Sequence, residues 1–328
     1  MSYFTGFYPA VRVDAAGDGV VSQAGGVVLT SMVKGSGIAA GLSEALAPWR
    51  KPFAVHNPGK ILTDLALSLA TGGDSVSDID RLRNQPEVYG LVASGPTISR
   101  LFTTLSTVKP AKALAAINGA RATARAHVWA QAGKDSPLHA VSPENPLVID
   151  LDASLLTSHS EKEDARPTWK KGFGFHPLCS FLDHGVLGTG EPLATLLRPG
   201  NAGSNTVADH IQVVKDSVTQ LPKGYRSGRK IMIRTDSAGG THGFLDWLTA
   251  RGRNFSYSVG FPIHGAVADV LPLVPNDGWT KAYDSDGVER DGAWVADISG
   301  MLDLSSWPAG MRVIVRKEVP HVLSLIHI

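Results

Sequence analysis

The chain has a single cysteine, Cys179, so neither an intramolecular disulfide nor a cysteine-rich zinc site can be built within it. It has almost no net charge, since 31 Lys and Arg stand against 30 Asp and Glu and leave +1. That balance excludes a uniformly basic nucleic-acid binder but not a local basic face. No uninterrupted apolar run approaches the roughly 18 residues that suggest a membrane span. The N-terminal MSYFTGFYPAVRVDAAGDG lacks the basic-then-apolar layout of a signal peptide. The expectation is a soluble protein of the cytoplasm with no membrane partner. There is no long repeat and no extended low-complexity tract. What is present is a hydrophobic content of 43% over 328 residues, enough for a sizeable core and about two domains.

To about residue 133 the apolar spacing is helical. Helices are predicted over 38–47, stopped by Pro48, and over 59–70, stopped at Gly72-Gly73. A third follows an Asp74 or Ser75 cap and runs through Ile79 and Leu82 towards Pro86. Two more cover 97–105 and 111–131, the last with Arg121 and Arg125 one turn apart. A polar, Pro-containing connector (KDSPLHAVSPENP) then marks a domain boundary. Beyond it, strands predicted over 147–152, 174–182, 191–197, 230–234 and 255–259 alternate with helices over 206–220 and 242–251. This pattern indicates an α/β layer with some parallel pairing. From about Pro262 the chain breaks into short β-like pieces, the last clear strand being 311–316.

Two segments carry the chemistry. VIDLDAS (148–154) and IMIRTDSAG (231–239) are each a hydrophobic strand ending in Asp. Alternation puts Asp150 and Asp152 on one face. Ligands of open α/β sheets gather at the carboxyl ends of strands, where Asp236 would join them. Converging carboxylates repel unless a cation joins them, and hard oxygen donors suit Mg²⁺ or Mn²⁺. Two such ions about 4 Å apart can activate a hydroxyl and stabilise a leaving oxygen at a phosphodiester. The bland alternative is that each Asp only caps a turn. VIDLDAS also fits the hhhDxDx[ST] pattern of haloacid-dehalogenase phosphatases, with Asp150 as nucleophile. The acidic pair that such an enzyme needs after a later strand is missing, because Asp236 is followed by Ser, Ala, Gly, Gly and Thr.

Nearly the whole chain resembles the DDE transposases of the insertion-sequence 1380 family, within the wider insertion-sequence 4 group. The resemblance is carried by VRVDAAGDGVVSQAGGVVL, GGDSVSDIDRLRNQPEVYGLVASGPTISRL, VIDLDASLLTSHSEKE, GFGFHPLCSFLDH, GEPLATLLRPGNAGSN and IRTDSAGGTHGFLDWL. It implies α/β architecture with a ribonuclease-H-like catalytic core, a helical N-terminal domain and a β-rich insertion. It also implies Mg²⁺- or Mn²⁺-dependent strand cleavage and transfer, and double-stranded DNA as partner, at terminal inverted repeats and at the target. By the same resemblance, the first metal carboxylate falls on the Asp150/Asp152 motif, Asp152 being favoured because Ser154 follows it, and the second on Asp236.

The family's third acid is a Glu on a late helix, and no matching helix is legible. Glu318 lies in VIVRKEVPH, which resembles a strand of the insertion, and the final LSLIHI departs from the family pattern. The expected layout is a helical domain over 1–140, a catalytic core over 146–260, an incomplete insertion over 261–322 and an unrelated tail over 323–328. Such a chain would bind DNA and cut it poorly, or act only as a DNA-binding remnant. Lys170, Lys171, Arg198, Asn201 and Arg100 are candidates for phosphate contacts. The N-terminal region is a candidate for DNA binding or for a homodimer. His159, His176, His184 and His242 lack ligand spacing and read as structural or supporting residues.

Overall fold

The structure is a computed structural model that describes residues 6–11, 24–185, 188, 190–284 and 286–319. The expected tail over 323–328 lies outside the described residues. The chain divides into two compact units, Met1–His139 with Thr219–Pro222, and Ala140–Val218 with Lys223–Ile328. Among the described residues no single helix is long and apolar enough to cross a membrane.

The first unit is helical: α1 (Gly26–Ser36), α2 (Ile38–Ala45), α3 (Pro58–Ala70), α4 (Ile79–Arg83), α5 (Pro86–Tyr89), α6 (Gly95–Thr107) and α7 (Pro110–Ala132). Local chemistry sets the boundaries. Asn57 caps α3 by accepting from the Gly59 and Lys60 amides, with Pro58 at the first helical position. A capping box between Ser75 and Asp78 opens the turn that leads into α4. Ile61, Leu67, Ile79, Leu82 and Ile98 form the centre of the core.

Inside the same unit lies a buried ion pair. Lys60 Nζ donates to both Asp64 carboxylate oxygens at 2.8 Å and to the Tyr89 carbonyl at 3.0 Å. Tyr8 donates its hydroxyl to Asp64 at 2.9 Å. Burial pushes the Asp64 carboxyl up to about 6, against the pull of Lys60. It pushes the Lys60 ammonium down, against the pull of Asp64.

The second unit is built on a five-stranded mixed sheet. Strand β1 (Leu147–Ala153) is followed by the short β2 (Leu156–Thr157), β3 (Arg166–Pro167) and β4 (Phe173–Phe175), then by β5 (Leu178–Leu182) and β6 (Glu191–Leu196). Helix α8 (Val207–Thr219) leads to β7 (Ile231–Thr235), and α9 (His242–Thr249) to β8 (Ser256–Val259). The order across the sheet is β6-β5-β1-β7-β8. β5 and β6 are antiparallel neighbours, while β1, β7 and β8 run parallel. Parallel neighbours need crossovers, which the two helices supply.

One face of this sheet is dry. Ile149, Leu182, Ile231 and Ile233 are fully buried, as are Val213 and Val214 of α8 and Phe244, Leu245 and Leu248 of α9. Ser180 of β5 and Ser217 of α8 share a buried 2.6 Å hydrogen bond across that layer. After α10 (Ala266–Val270), strands β9 (Thr280–Tyr283), β10 (Glu289–Asp297) and β11 (Ile314–Glu318) form a three-stranded antiparallel sheet in the order β11-β10-β9. Trp294 stands opposite Lys281 on one side and Lys317 on the other. The two ammonium groups lie 5.0 and 5.5 Å from its ring.

Candidate active site

The parallel register of β1 on β7 pairs Asp150 with Arg234 and Leu151 with Thr235. Asp152 and Asp236 are each the next residue after the last of these pairs. Asp152 lies near the carboxyl end of β1, and Asp236 directly follows the carboxyl end of the adjacent parallel strand β7. Both residues are exposed, whereas their neighbours Leu151 and Thr235 are buried. Asp236 also caps the turn that follows, accepting from the Ala238 amide at 3.0 Å. Asp152 accepts from the Ala153 amide at 2.8 Å. Capping and ligation are therefore compatible roles, since each carboxylate keeps lone pairs for an ion.

Asp150 is placed differently. Arg234 grips it with Nε on Oδ1 and with Nη2 on Oδ2 at 2.7 Å, and Nη2 also donates to Asp183 at 2.8 Å. A guanidinium fork on one carboxylate and shared with a second is a bracing arrangement. The two aspartates hold the guanidinium firmly protonated. The Gly185 amide and then Arg234 keep Asp183 below the usual carboxylate range.

The loop after β7 needs glycine. A Cβ on Gly240 would lie 2.8 Å from the Gly260 carbonyl and 2.9 Å from the Phe261 ring, and one on Gly239 would collide with the Thr235 side chain. The turn carrying Asp236 thus lies against the end of β8. His242 is also structural. Its ring stacks on Trp307 at 3.6 Å, its Nδ1 lies 3.1 Å from the Ser306 carbonyl, and Phe261 meets Trp307 edge-on at 5.3 Å.

The other candidates separate by burial. Arg198 is only 4% exposed, and it donates to the His176 carbonyl at 2.9 Å, the Gly203 carbonyl at 3.1 Å and Asp209 at 3.2 Å. That burial corrects its expected place on a DNA-facing surface, because the guanidinium braces the RPGN turn from within. Asn201 in that turn is exposed, and so are Lys170 and Lys171 at the tip of the β3–β4 hairpin. Arg100 is exposed on α6 of the first unit, where it donates to Thr97 at 3.0 Å. His176 and His210 are buried. Burial holds His210 below the ordinary imidazole range and Arg198 adds to this, while the Thr206 carbonyl and the Asp209 and Asp236 charges pull the other way.

Among the described residues no group of three or more His, Cys, Asp or Glu side chains could hold a metal ion. Glu318 is taken up by Arg290 and by Arg316, the latter at 2.7 Å. Two exposed carboxylates are nonetheless a fitting donor set for Mg²⁺ or Mn²⁺. Mg²⁺ in particular is commonly held by one or two protein carboxylates, with water and substrate phosphate completing its shell.

No curated protein sequence matches the chain. Over residues 4–325 the sequence matches the family described as transposase DDE domain, group 1. Among solved structures, the chain is similar to the piggyBac transposase seen by cryo-electron microscopy in a synaptic complex with hairpin DNA. The TM-score is 0.31 and the identity 9%, over 85% of this chain and 58% of that one. The chain therefore spans 58% of the length of that structure. At such similarity the description of the fold rests on the strand order above and not on the neighbour.

Proposed function

Because the chain belongs to the transposase DDE domain family, group 1, we propose that its five-stranded sheet is a ribonuclease-H-like core that cleaves and joins DNA strands at the ends of a mobile element. The observation that carries this reading is the placement of Asp152 and Asp236, both exposed, at the carboxyl ends of adjacent parallel strands. The order β6-β5-β1-β7-β8, in which β5 alone runs against four strands of like direction, supports the ribonuclease-H-like assignment.

In this reading Asp152 and Asp236 are the residues that would hold a divalent ion, Mg²⁺ or Mn²⁺, which would supply Lewis-acid chemistry at the phosphodiester. Asp150 takes no part in bond making. With both oxygens on Arg234 it is a poor nucleophile, which disfavours the phosphatase alternative. Its task is to fix β1 against β7 two residues below the reacting carboxylates. Arg234 is equally placed to keep the acidic row from repelling itself apart, since it neutralises Asp150 and Asp183 together. Double-stranded DNA is the partner, and Lys170, Lys171 and Asn201 are the exposed phosphate-contacting candidates of this unit.

A second reading has one observation in its favour. No third acid joins Asp152 and Asp236 among the described residues, so this chain binds element ends without cutting them. A Mn²⁺-dependent nicking assay on duplex DNA carrying the element's ends, run beside Asp236→Asn, decides between the two. Nicking that the substitution abolishes supports the catalytic reading. Salt-dependent binding without nicking supports the second, and the absence of both refutes the two together.

A further inference from the structure

The antiparallel ladder between β1 and β5 does not stop at the sheet. Asp152 pairs with Cys179 and Ala153 with Leu178, the Ser154 amide donates to the Pro177 carbonyl, and Leu156 and Thr157 then pair with Phe175 and Gly174 in unchanged register. A two-stranded arm therefore grows directly out of the strand that carries Asp152, beyond its carboxyl end. β3 joins the arm by pairing Arg166 with Gly174 and Pro167 with Phe173. The RPGN turn packs on its base, where a Cβ on Gly200 would collide with the Arg166 and Gly174 carbonyls. The arm is thus built into the fold and does not hang from it.

The tip of the arm is chemically distinct. Thr168 closes a tight turn by donating its amide to the Gly172 carbonyl at 2.8 Å and accepting from the Lys171 amide at 3.0 Å. This leaves Trp169, Lys170 and Lys171 projecting. Of the chain's seven tryptophans only Trp169 is exposed, and it is 70% exposed. It contributes little to the core, yet it presents a large apolar ring to water. Lys170 Nζ lies 5.0 Å from that ring. Lys171 sits at φ +63°, a left-handed conformation that favours glycine, although Gly172 is next in sequence. Glu161, Glu163 and Asp164 outnumber Lys162 in the 158–165 connection that enters β3 from the other end, whereas Lys170 and Lys171 at the tip have no acidic residue between them and β4.

An indole beside the Lys170 ammonium, with exposed Lys171 next in the turn, matches one ligand chemistry well, a nucleobase flanked by its phosphates. Aromatic rings stack on bases that have left the helix stack, and lysines neutralise the adjoining phosphates. We propose that the β3–β4 tip is a DNA-clasping element in which Trp169 stacks on an unstacked base and Lys170 and Lys171 hold the phosphates beside it. The proposal rests on the transposase reading and adds a position to it. From Cys179, which faces Asp152, to Gly172 at the turn is about seven residues of extended chain, at most about 23 Å. That places the contact within about seven base pairs of the scissile phosphate.

The test is fluorescence anisotropy with the full chain and two fluorescein-labelled probes, a fully paired duplex and the same duplex with a short unpaired bubble. Each is titrated across about 50 to 200 mM salt. Trp169→Ala should weaken binding to the bubble by roughly tenfold at every salt concentration, with much less effect on the paired duplex, and Trp169→Phe should recover most of the loss. The double variant Lys170→Ala/Lys171→Ala should reduce the slope of log K against log salt by nearly two. Melting temperatures should stay at the wild-type value, because none of the three side chains is buried. Wild-type, salt-dependent binding that Trp169→Ala leaves within about twofold would overturn the proposal while the transposase reading stood. Equal losses on both probes would overturn the stacking role. A Trp169→Ala chain that changes its sedimentation without DNA would show the tip to be a contact with a second copy instead. Absence of any salt-dependent binding by the wild type would remove both readings.

Discussion

Asp150→Asn and Asp152→Asn each delete one negative charge, two residues apart on the same face of β1, and their consequences should be opposite. Asp150 loses a forked pair with Arg234. The side chains are partly exposed, 33% for Asp150, 47% for Arg234 and 31% for Asp183. Solvent screens such a pair, and the forked geometry puts it at the upper end of the exposed range, about 1 kcal/mol. For a unit of this size that lowers Tm by about 2–4 °C. Asp152 has no ion-pair partner among the described residues, so Asp152→Asn should leave Tm unchanged or slightly raised, through relief of repulsion from Asp236. For catalysis the order reverses. Loss of a directly acting electrostatic group costs on the order of 10²–10³ in rate, and Asp152→Asn should do so. Asp150→Asn should retain most of the Mn²⁺-dependent nicking of an element-end duplex. Scanning calorimetry with and without Mn²⁺ supplies a readout independent of turnover, since added Mn²⁺ should raise Tm for wild type and Asp150→Asn but not for Asp152→Asn. If Asp150→Asn melts normally yet loses nicking as completely as Asp152→Asn, Asp150 acts on the substrate and the bracing argument fails.

Other perturbations have equally definite outcomes. Burial raises Asp64 from an ordinary 3.8 to about 6. Its contribution to the stability of the helical unit is therefore full below pH 3.8 and lost as pH rises through about 6. Lys60→Met strands that carboxylate and should cost about 3–5 kcal/mol in urea titrations near neutral pH, a penalty that shrinks as the solution is acidified; a pH-independent loss would contradict this. Arg198→Met should destabilise the second unit by about 2–4 kcal/mol through its orphaned carbonyls and Asp209, while the salt slope of DNA binding stays at the wild-type value. A changed slope would return Arg198 to the DNA surface. Gly240→Ala should cost about 1–3 kcal/mol by overpacking against Gly260 and Phe261, and it should reduce nicking more than its stability loss explains, because the displaced turn carries Asp236.

Much of this was legible because local patterns agreed with one another. The apolar runs predicted at 147–152 and 230–234 are β1 and β7, and strand alternation alone placed Asp150 and Asp152 on one face. The helix expected after the Asp74/Ser75 cap begins with a Ser75 capping box. Helix α1 escaped notice because its apolar residues are not gathered on one side, and Val28 and Met32 remain more than 60% exposed. Strand β10 was hidden by the acidic ERDG at its start, which pairs irregularly with β9. The fate of Asp150 depends on Arg234, 84 residues away, and on Asp183. D-L-D and R-T-D occupy matching positions in two strands of the same character, so parallel pairing in register sets Asp against Arg and Asp against Asp. Arg198 was misplaced because RPGN looks like a surface turn, and nothing local reveals that His176, Gly203 and Asp209 enclose its side chain.

The pairing of Asp152 with Cys179 has a practical consequence. The only thiol in the chain, half-buried and with no disulfide partner, stands across the ladder from an acidic residue of the site. A maleimide label would attach at one position without mutagenesis and report from the strand position paired with Asp152. A spin label there would sense Mn²⁺ by paramagnetic broadening, and a fluorophore would time the arrival of DNA. The architecture thus carries its own single-site attachment point for watching the site fill.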